Sequence, residues 1–390
     1  MSDNSYTEVT RQSWFGRLGG AVKGIFIGIL LFIASFFLLI WNEHRAIDTT
    51  RGLEQAENEL STVSAAPLLA ENEGKLVYFT ASANPEKTLS DELFGISSEA
   101  LVLRRQVEMY QWKEEVRSKT EKELGGGSKT VKTYHYNKTW SSQHIDSGRF
   151  KQSSEYQNPA SMPYKSATQY AVVTAGDYRI PNSMLSQLAS NSPLYPKDDI
   201  ELADGFVRYG EGLYRGNPEA PKIGDIRVTF WQVEPGAISA IAQQVGNTLQ
   251  PYTARSGTSV EILKAGTHSA DQLFQQAHSE NSTLSWILRA VGLAMMFIGL
   301  TAMLKPLSVL GDVVPLIGNI IGMGSALVAG LVTVVLGMLT IAIAWISVRP
   351  LLAIGLIAIA GAAVYLLFQR RSKVKAEQVA IAAQQAQTKS

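Results

Sequence analysis

Apolar residues gather in two places along the chain, an isolated segment near the start and a long block near the end. Within that block Val313 to Val348 carries no charged side chain over 36 residues. About 20 residues of helix cross the roughly 30 Å of bilayer hydrocarbon, so this run predicts a full crossing plus extra apolar chain. Ser282–Leu304 and Pro350–Gln369 read as crossings on either side of it, and Gly24–Trp41 as a fourth. The predicted fold is an α-helical membrane bundle of four transmembrane helices with a large inserted α+β, strand-rich extracytoplasmic domain. Its parts are an N-terminal cytoplasmic segment 1–23, crossings 24–41, 282–304, 322–347 and 350–369, the inserted domain 42–281, a cytoplasmic or interfacial loop 305–321, and a basic cytoplasmic tail 370–390.

The insert opens with Leu53, Ala56, Glu57 and Leu60, a helix leaving the membrane that loosens over 61–67. Strand-like runs rich in Val, Thr, Tyr, Phe and Trp follow at 75–82, 100–112, 129–141, 169–173, 225–233 and 259–263. Gly125-Gly126-Gly127-Ser128 between two of the longest predicts a hairpin. Short helices are expected at 184–189 and 237–244. Ser269 with Gln272 has the spacing of a capping box opening a helix into the second crossing. Residues 1–12 read as polar and mobile, and Lys305-Pro306 as the end of the second crossing. Two ladders of small residues recur at helical spacing: Gly20, Gly24 and Gly28, then Gly318, Gly322, Ala326 and Gly330. Such faces let helix backbones approach closely.

Charge changes the picture because it is unevenly shared. Residues 42–283 hold 24 Lys/Arg against 30 Asp/Glu, while the rest of the chain holds 11 against 4. Arg11, Arg17 and Lys23 before the first crossing, Lys305 in the second short loop, and Arg370, Arg371, Lys373 and Lys375 after the last place both termini in the cytoplasm by the positive-inside rule. The insert then lies across the membrane, in periplasm, cell exterior or organelle lumen. Cysteine is absent, which excludes disulfides, thiolate metal sites and a Cys nucleophile. No cofactor, metal site or nucleic-acid partner is expected.

Candidate chemistry is sparse. The crossings are nearly free of ionisable groups, so a proton relay or carrier is not suggested; Arg289, in the first turns of the second crossing, can snorkel outward or line a polar cavity. Ser142, His144 and Asp146 alternate, but residues two apart on a strand stand about 7 Å apart, too far for a hydrolytic triad. His268 and His278 lack zinc-protease spacing. Asp198, Asp199, Glu201 and Asp204 miss the EF-hand pattern and read as a solvated loop. Asn137-Lys138-Thr139 and Asn281-Ser282-Thr283 fit glycosylation acceptors, relevant only in a eukaryotic lumen, and the second lies close to the bilayer. The aromatic group around Tyr110, Trp112, Tyr134, Tyr136 and Trp140 is either cross-strand packing or a partner surface.

Several segments resemble the LUMA, or transmembrane protein 43, family: Asn42-Glu43-His44-Arg45-Ala46, Glu71-Asn72-Glu73-Gly74-Lys75-Leu76-Val77, and Leu103-Arg104-Arg105-Gln106-Val107-Glu108-Met109-Tyr110-Gln111-Trp112. Tyr134-His135-Tyr136, Asn158-Pro159, Gly224-Asp225-Ile226-Arg227-Val228 and Leu288-Arg289-Ala290 extend the resemblance in order. It implies four crossings, a large lumenal or periplasmic insert, self-association, and in animal members residence in the endoplasmic reticulum and inner nuclear membrane with links to emerin and lamins in nuclear-envelope organisation. It implies no catalytic residue. The reading that follows is a non-enzymatic membrane scaffold, homo-oligomeric in the lipid bilayer, recruiting other membrane proteins; the alternatives are a channel or transport-accessory subunit, and an extracytoplasmic hydrolase centred on His144.

Overall fold

The structure, a computed structural model, describes residues 4–197, 202, 205–345, 354–355, 358–359, 361–362 and 365. The chain divides into two compact units. One comprises Met1–Glu8, Thr50–Lys119 and Val131–His278; the other comprises Val9–Thr49, Thr120–Thr130 and Ser279–Ser390.

The first unit is strand-rich. Its principal strands are β1 (Ser5–Gln12), β2 (Leu76–Pro85), β3 (Val102–Lys122), β4 (Ser128–Ser141), β5 (Ile226–Val233), β6 (Gly236–Val245) and β7 (Ile262–Ala265); the outer ends of β1, β3 and β4 belong to the second unit. An eight-stranded sheet runs β1–β4–β3–β5 and on through Gly212–Arg215 to Phe206–Tyr209. In β3 and β5 Val107, Met109, Ile226, Val228 and Phe230 are buried and gather with Phe94, Phe206 and Leu213 into a core. A seven-stranded sheet is built on β6, which pairs antiparallel with β2 from Gly236↔Ala83 to Gln243↔Leu76 and with β7 from Ile238↔Ala265 to Ile241↔Ile262.

Two expectations change here. The segment 237–244, Ala-rich and read as a helix, is the centre of that second sheet. Flanked by β2 and β7, it buries both faces, so small side chains fit and tertiary pairing overrides helix propensity. Residues 5–12 are ordered as an edge strand, with the Tyr136 amide donating to the Asn4 carbonyl at 2.9 Å. The hairpin and the capping box form as the sequence predicts. Gly125 and Gly126 take φ of 83° and 82° at the tip, the left-handed region two-residue turns demand. Ser269 Oγ accepts from the Gln272 amide at 3.2 Å while Gln272 Oε1 accepts from the Ser269 amide at 3.0 Å.

The second unit holds the apolar helices. Among the described residues three helices are long and apolar enough to cross a membrane: α1 (Trp14–Glu59), α3 (Ala270–Gly311) and α4 (Pro315–Trp345); the short α2 is Asn182–Leu185. The fourth predicted crossing, 350–369, lies largely outside the described residues. Glycines set the closest approaches. A Cβ on Gly28 of α1 would meet the Gly299 carbonyl of α3 at 2.7 Å, and one on Gly292 would meet Leu39 at 2.7 Å. Lys305-Pro306 does not end the helix of the second predicted crossing. The helix carries Pro306 and stops at Gly311, since a proline removes one amide donor and that loss is survivable with membrane neighbours packed around it. A three-residue turn then leads straight into α4, where a longer interfacial loop was expected.

Candidate functional site

One stripe of α3 carries Asn281, Ser285 and Arg289 at four-residue spacing, and all three are buried. Opposite them on α1 stand Asn42, Glu43 and Arg45, just past the last apolar turn. Asn42 Nδ2 donates to the Ser285 carbonyl at 3.1 Å, and Arg45 donates to Asn281 Oδ1 at 3.0 Å and Ser285 Oγ at 2.9 Å. Asn281 Nδ2 returns a hydrogen bond to the Ala46 carbonyl at 3.0 Å. Arg45 Nε is buried and unpaired.

At the centre is an ion pair closed to solvent. Glu43 is 0% exposed and Arg289 8%. Arg289 Nε donates to Glu43 Oε1 at 2.6 Å and Nη2 to Oε2 at 2.8 Å, the bidentate fork that matches guanidinium to carboxylate. Trp345 of α4 donates its indole N–H to the same Oε2. The guanidinium also lies 4.8 Å from the Trp286 ring centroid and 5.2 Å from that of Trp345, within cation–π range of both. Side chains from all three long helices therefore converge on one charge pair. Both carboxylate oxygens accept hydrogen bonds, so the arrangement fastens the helices together.

A second buried carboxylate sits at the α3–α4 turn. Asp312 is 0% exposed; Arg17 of α1 pairs with Oδ2, and Lys122 at the hairpin end pairs with Oδ1 at 2.6 Å. Lys122 also donates to Asn319 Oδ1 at 2.7 Å, Arg17 to the Gly126 carbonyl at 2.5 Å, and the Trp14 indole to the Val309 carbonyl at 2.8 Å. These contacts place the hairpin tip at residues 120–130 against Arg17 and Asp312.

The sequence-predicted positions scatter. Of the glycine ladders, Gly28 packs on Gly299, Gly318 on Asp312, Gly322 near Ser308 and Gly330 near Phe297. Gly24 meets nothing within 4 Å and Gly20 only the end of Gln12; Ala326 lines a cavity between α3 and α4. Arg289 is buried and held by Glu43. In the strand-rich unit Tyr134 and Tyr136 are buried, which removes them from any partner surface. Tyr136 stacks on Tyr156 at 3.9 Å, Trp112 meets Tyr156 edge-on, and Tyr110 and Trp140 pack together at 5.0 Å. Burial and the hydrogen bond to Glu114 push the Tyr136 hydroxyl up to about 12.

His144 spends Nε2 on the Pro159 carbonyl at 2.7 Å, and Asp146 caps the Gly148 amide, so Ser142, His144 and Asp146 make no triad. His268 bonds the Ala265 carbonyl. The acids at 198, 199, 201 and 204 lie outside the described residues. Sequence reasoning missed Glu43, Asp312, Lys122 and Trp345. Glu43 had a visible signal, a carboxylate two residues after the last apolar residue of the first crossing; its pairing with Arg289 had none.

Three apolar helices pinned by a buried Glu–Arg pair, with a strand-rich domain inserted after the first, define an integral membrane protein. The chain belongs to the transmembrane protein 43 family, whose model matches residues 109–350. It is 33% identical over 310 residues to transmembrane protein 43 of Rattus norvegicus, covering 75% of this chain and 76% of that one. The Homo sapiens protein is 32% identical over 307 residues, with 75% and 76% covered. The Drosophila melanogaster homolog is 29% identical over 305 residues, with 76% and 78% covered. No solved structure matches.

Proposed function

We propose that this protein is a non-enzymatic membrane scaffold that self-associates through its helices and recruits other membrane proteins through its strand-rich domain. The observation that carries this reading is the Glu43–Arg289–Trp345 clamp. A buried charge used for transport must change partners or protonation, whereas this one is bidentate, flanked by two indoles and tied to three helices. It supports an anchor.

Self-association is supported by the part of the first glycine ladder left open. Gly24 has empty space where a Cβ would stand, and Ile27, one turn on along the same side, is exposed. A second copy approaching there gains close backbone packing. Crosslinking in native membranes and blue-native electrophoresis test the idea. Multimers are expected in the wild type and reduced in Gly24→Leu, with the monomer still folded. A strictly monomeric particle in native lipid, or multimers untouched by Gly24→Leu, removes this mode of self-association.

A further inference from the structure

Between the C-terminal part of α3 and the N-terminal part of α4 lies a cavity of about 380 Å³. Its walls are graded. Ile298 and Ala302 line the end deeper in the helices, Gly322 and Ala326 leave room across from them, and Lys305 and Ser308 line the end nearer the α3–α4 turn. Lys305 lies six residues before α3 ends and Ile298 two turns further in, about 10 Å along the axis. The gradient from cation to apolar wall over that length is the profile of a lipid entering from the interface.

Hydrogen-bonding capacity sharpens the ligand. Thr301 and Ser308 spend their protons on the Ile298 and Gly318 carbonyls, at 2.9 Å and 3.1 Å. Among the described residues Lys305 and Ser325 make no hydrogen bond or ion pair, so an ammonium and a hydroxyl face this cavity unspent. The nearby carboxylate does not compensate Lys305, because Arg17 and Lys122 already neutralise Asp312. An ammonium at an interface without a carboxylate partner attracts anionic headgroups.

We propose that the cavity binds an anionic phospholipid, its phosphate on Lys305 and Ser325 and its acyl chain along Ile298 and Ala302. The test uses full-length protein in nanodiscs of phosphatidylcholine alone or mixed with phosphatidylglycerol, with co-purifying lipid read by native mass spectrometry. The wild type should retain phosphatidylglycerol over phosphatidylcholine by roughly fivefold, about what one basic residue contributes at an anionic surface. Lys305→Gln should abolish the preference, Lys305→Arg should keep it, and Ala326→Leu should displace the lipid by filling the cavity. Lys305 is exposed, so its replacement leaves the bundle packed. Undiminished retention in Lys305→Gln would overturn the proposal. So would retention in Ala326→Leu, or inorganic phosphate competing as well as the whole lipid.

Discussion

Removing one partner of the Glu43–Arg289 pair tests the clamp most directly. In Glu43→Gln the guanidinium stays between Trp286 and Trp345, having lost both charged acceptors, at a site only 8% exposed. In Arg289→Leu the carboxylate keeps a single neutral donor, the Trp345 indole. Breaking a buried pair from one side costs about 3–5 kcal/mol, because the survivor is desolvated without compensation. Removing both charges together, in Glu43→Gln/Arg289→Leu, cancels most of that penalty, since replacement of a buried pair by uncharged groups is often close to neutral. A double-mutant cycle on detergent-solubilised protein, read as thermal inactivation of monodispersity by fluorescence size-exclusion chromatography, should show each single variant lower by on the order of 10 °C. The double variant should lie above either single one. Strictly additive losses, or single variants within about 1 kcal/mol of wild type, would refute a coupled buried pair.

Other predictions use the same logic. Gly28→Leu should prevent close approach of α1 and α3 and lower stability by more than Gly24→Leu, because Gly28, unlike Gly24, faces a carbonyl across the interface; equal losses would sink that distinction. The absence of cysteine allows single-thiol labelling without background. Ser13→Cys and exposed Leu124→Cys should react with a membrane-impermeant maleimide from the same side of sealed vesicles, and labelling from opposite sides would contradict the Arg17, Lys122 and Asp312 contacts. Tyr136, buried and pushed up to about 12, should contribute a late phase to an ultraviolet titration, one that Tyr136→Phe removes. The folded state then holds a proton that the unfolded chain, at about 10, has released. Its stabilising contribution is whole below pH 10 and is lost as pH rises towards 12, so Tyr136→Phe should flatten the alkaline limb of stability.

What the sequence disclosed depended on how local the determinant was. The uncharged run, the triple glycine at the hairpin tip and the Ser269–Gln272 cap are local, and each element formed where its residues are. Strand 236–245 was misread because Ala-rich segments favour helices in isolation, and only its two sheet neighbours make the strand the better solution. Glu43 and Arg289 stand 246 positions apart, and Lys122 and Asp312 190 apart. Neither periodicity nor composition couples residues at such separations. The aromatic group was visible as a cluster, but whether it faces solvent or interior depends on loop 150–156 folding back over Tyr136, which no pattern in the strands announces.

The Asn281 amide has a consequence for biosynthesis. Its nitrogen is the atom a glycan would occupy in the Asn281-Ser282-Thr283 tripeptide, yet in the folded bundle that nitrogen is engaged by Ala46 and its oxygen by Arg45. In a secretory compartment the two fates compete, and closure of one helix on the other shields the acceptor from the transferase. A sugar found at Asn281 would therefore mark molecules whose helices had failed to meet in time, making that one position a built-in record of assembly.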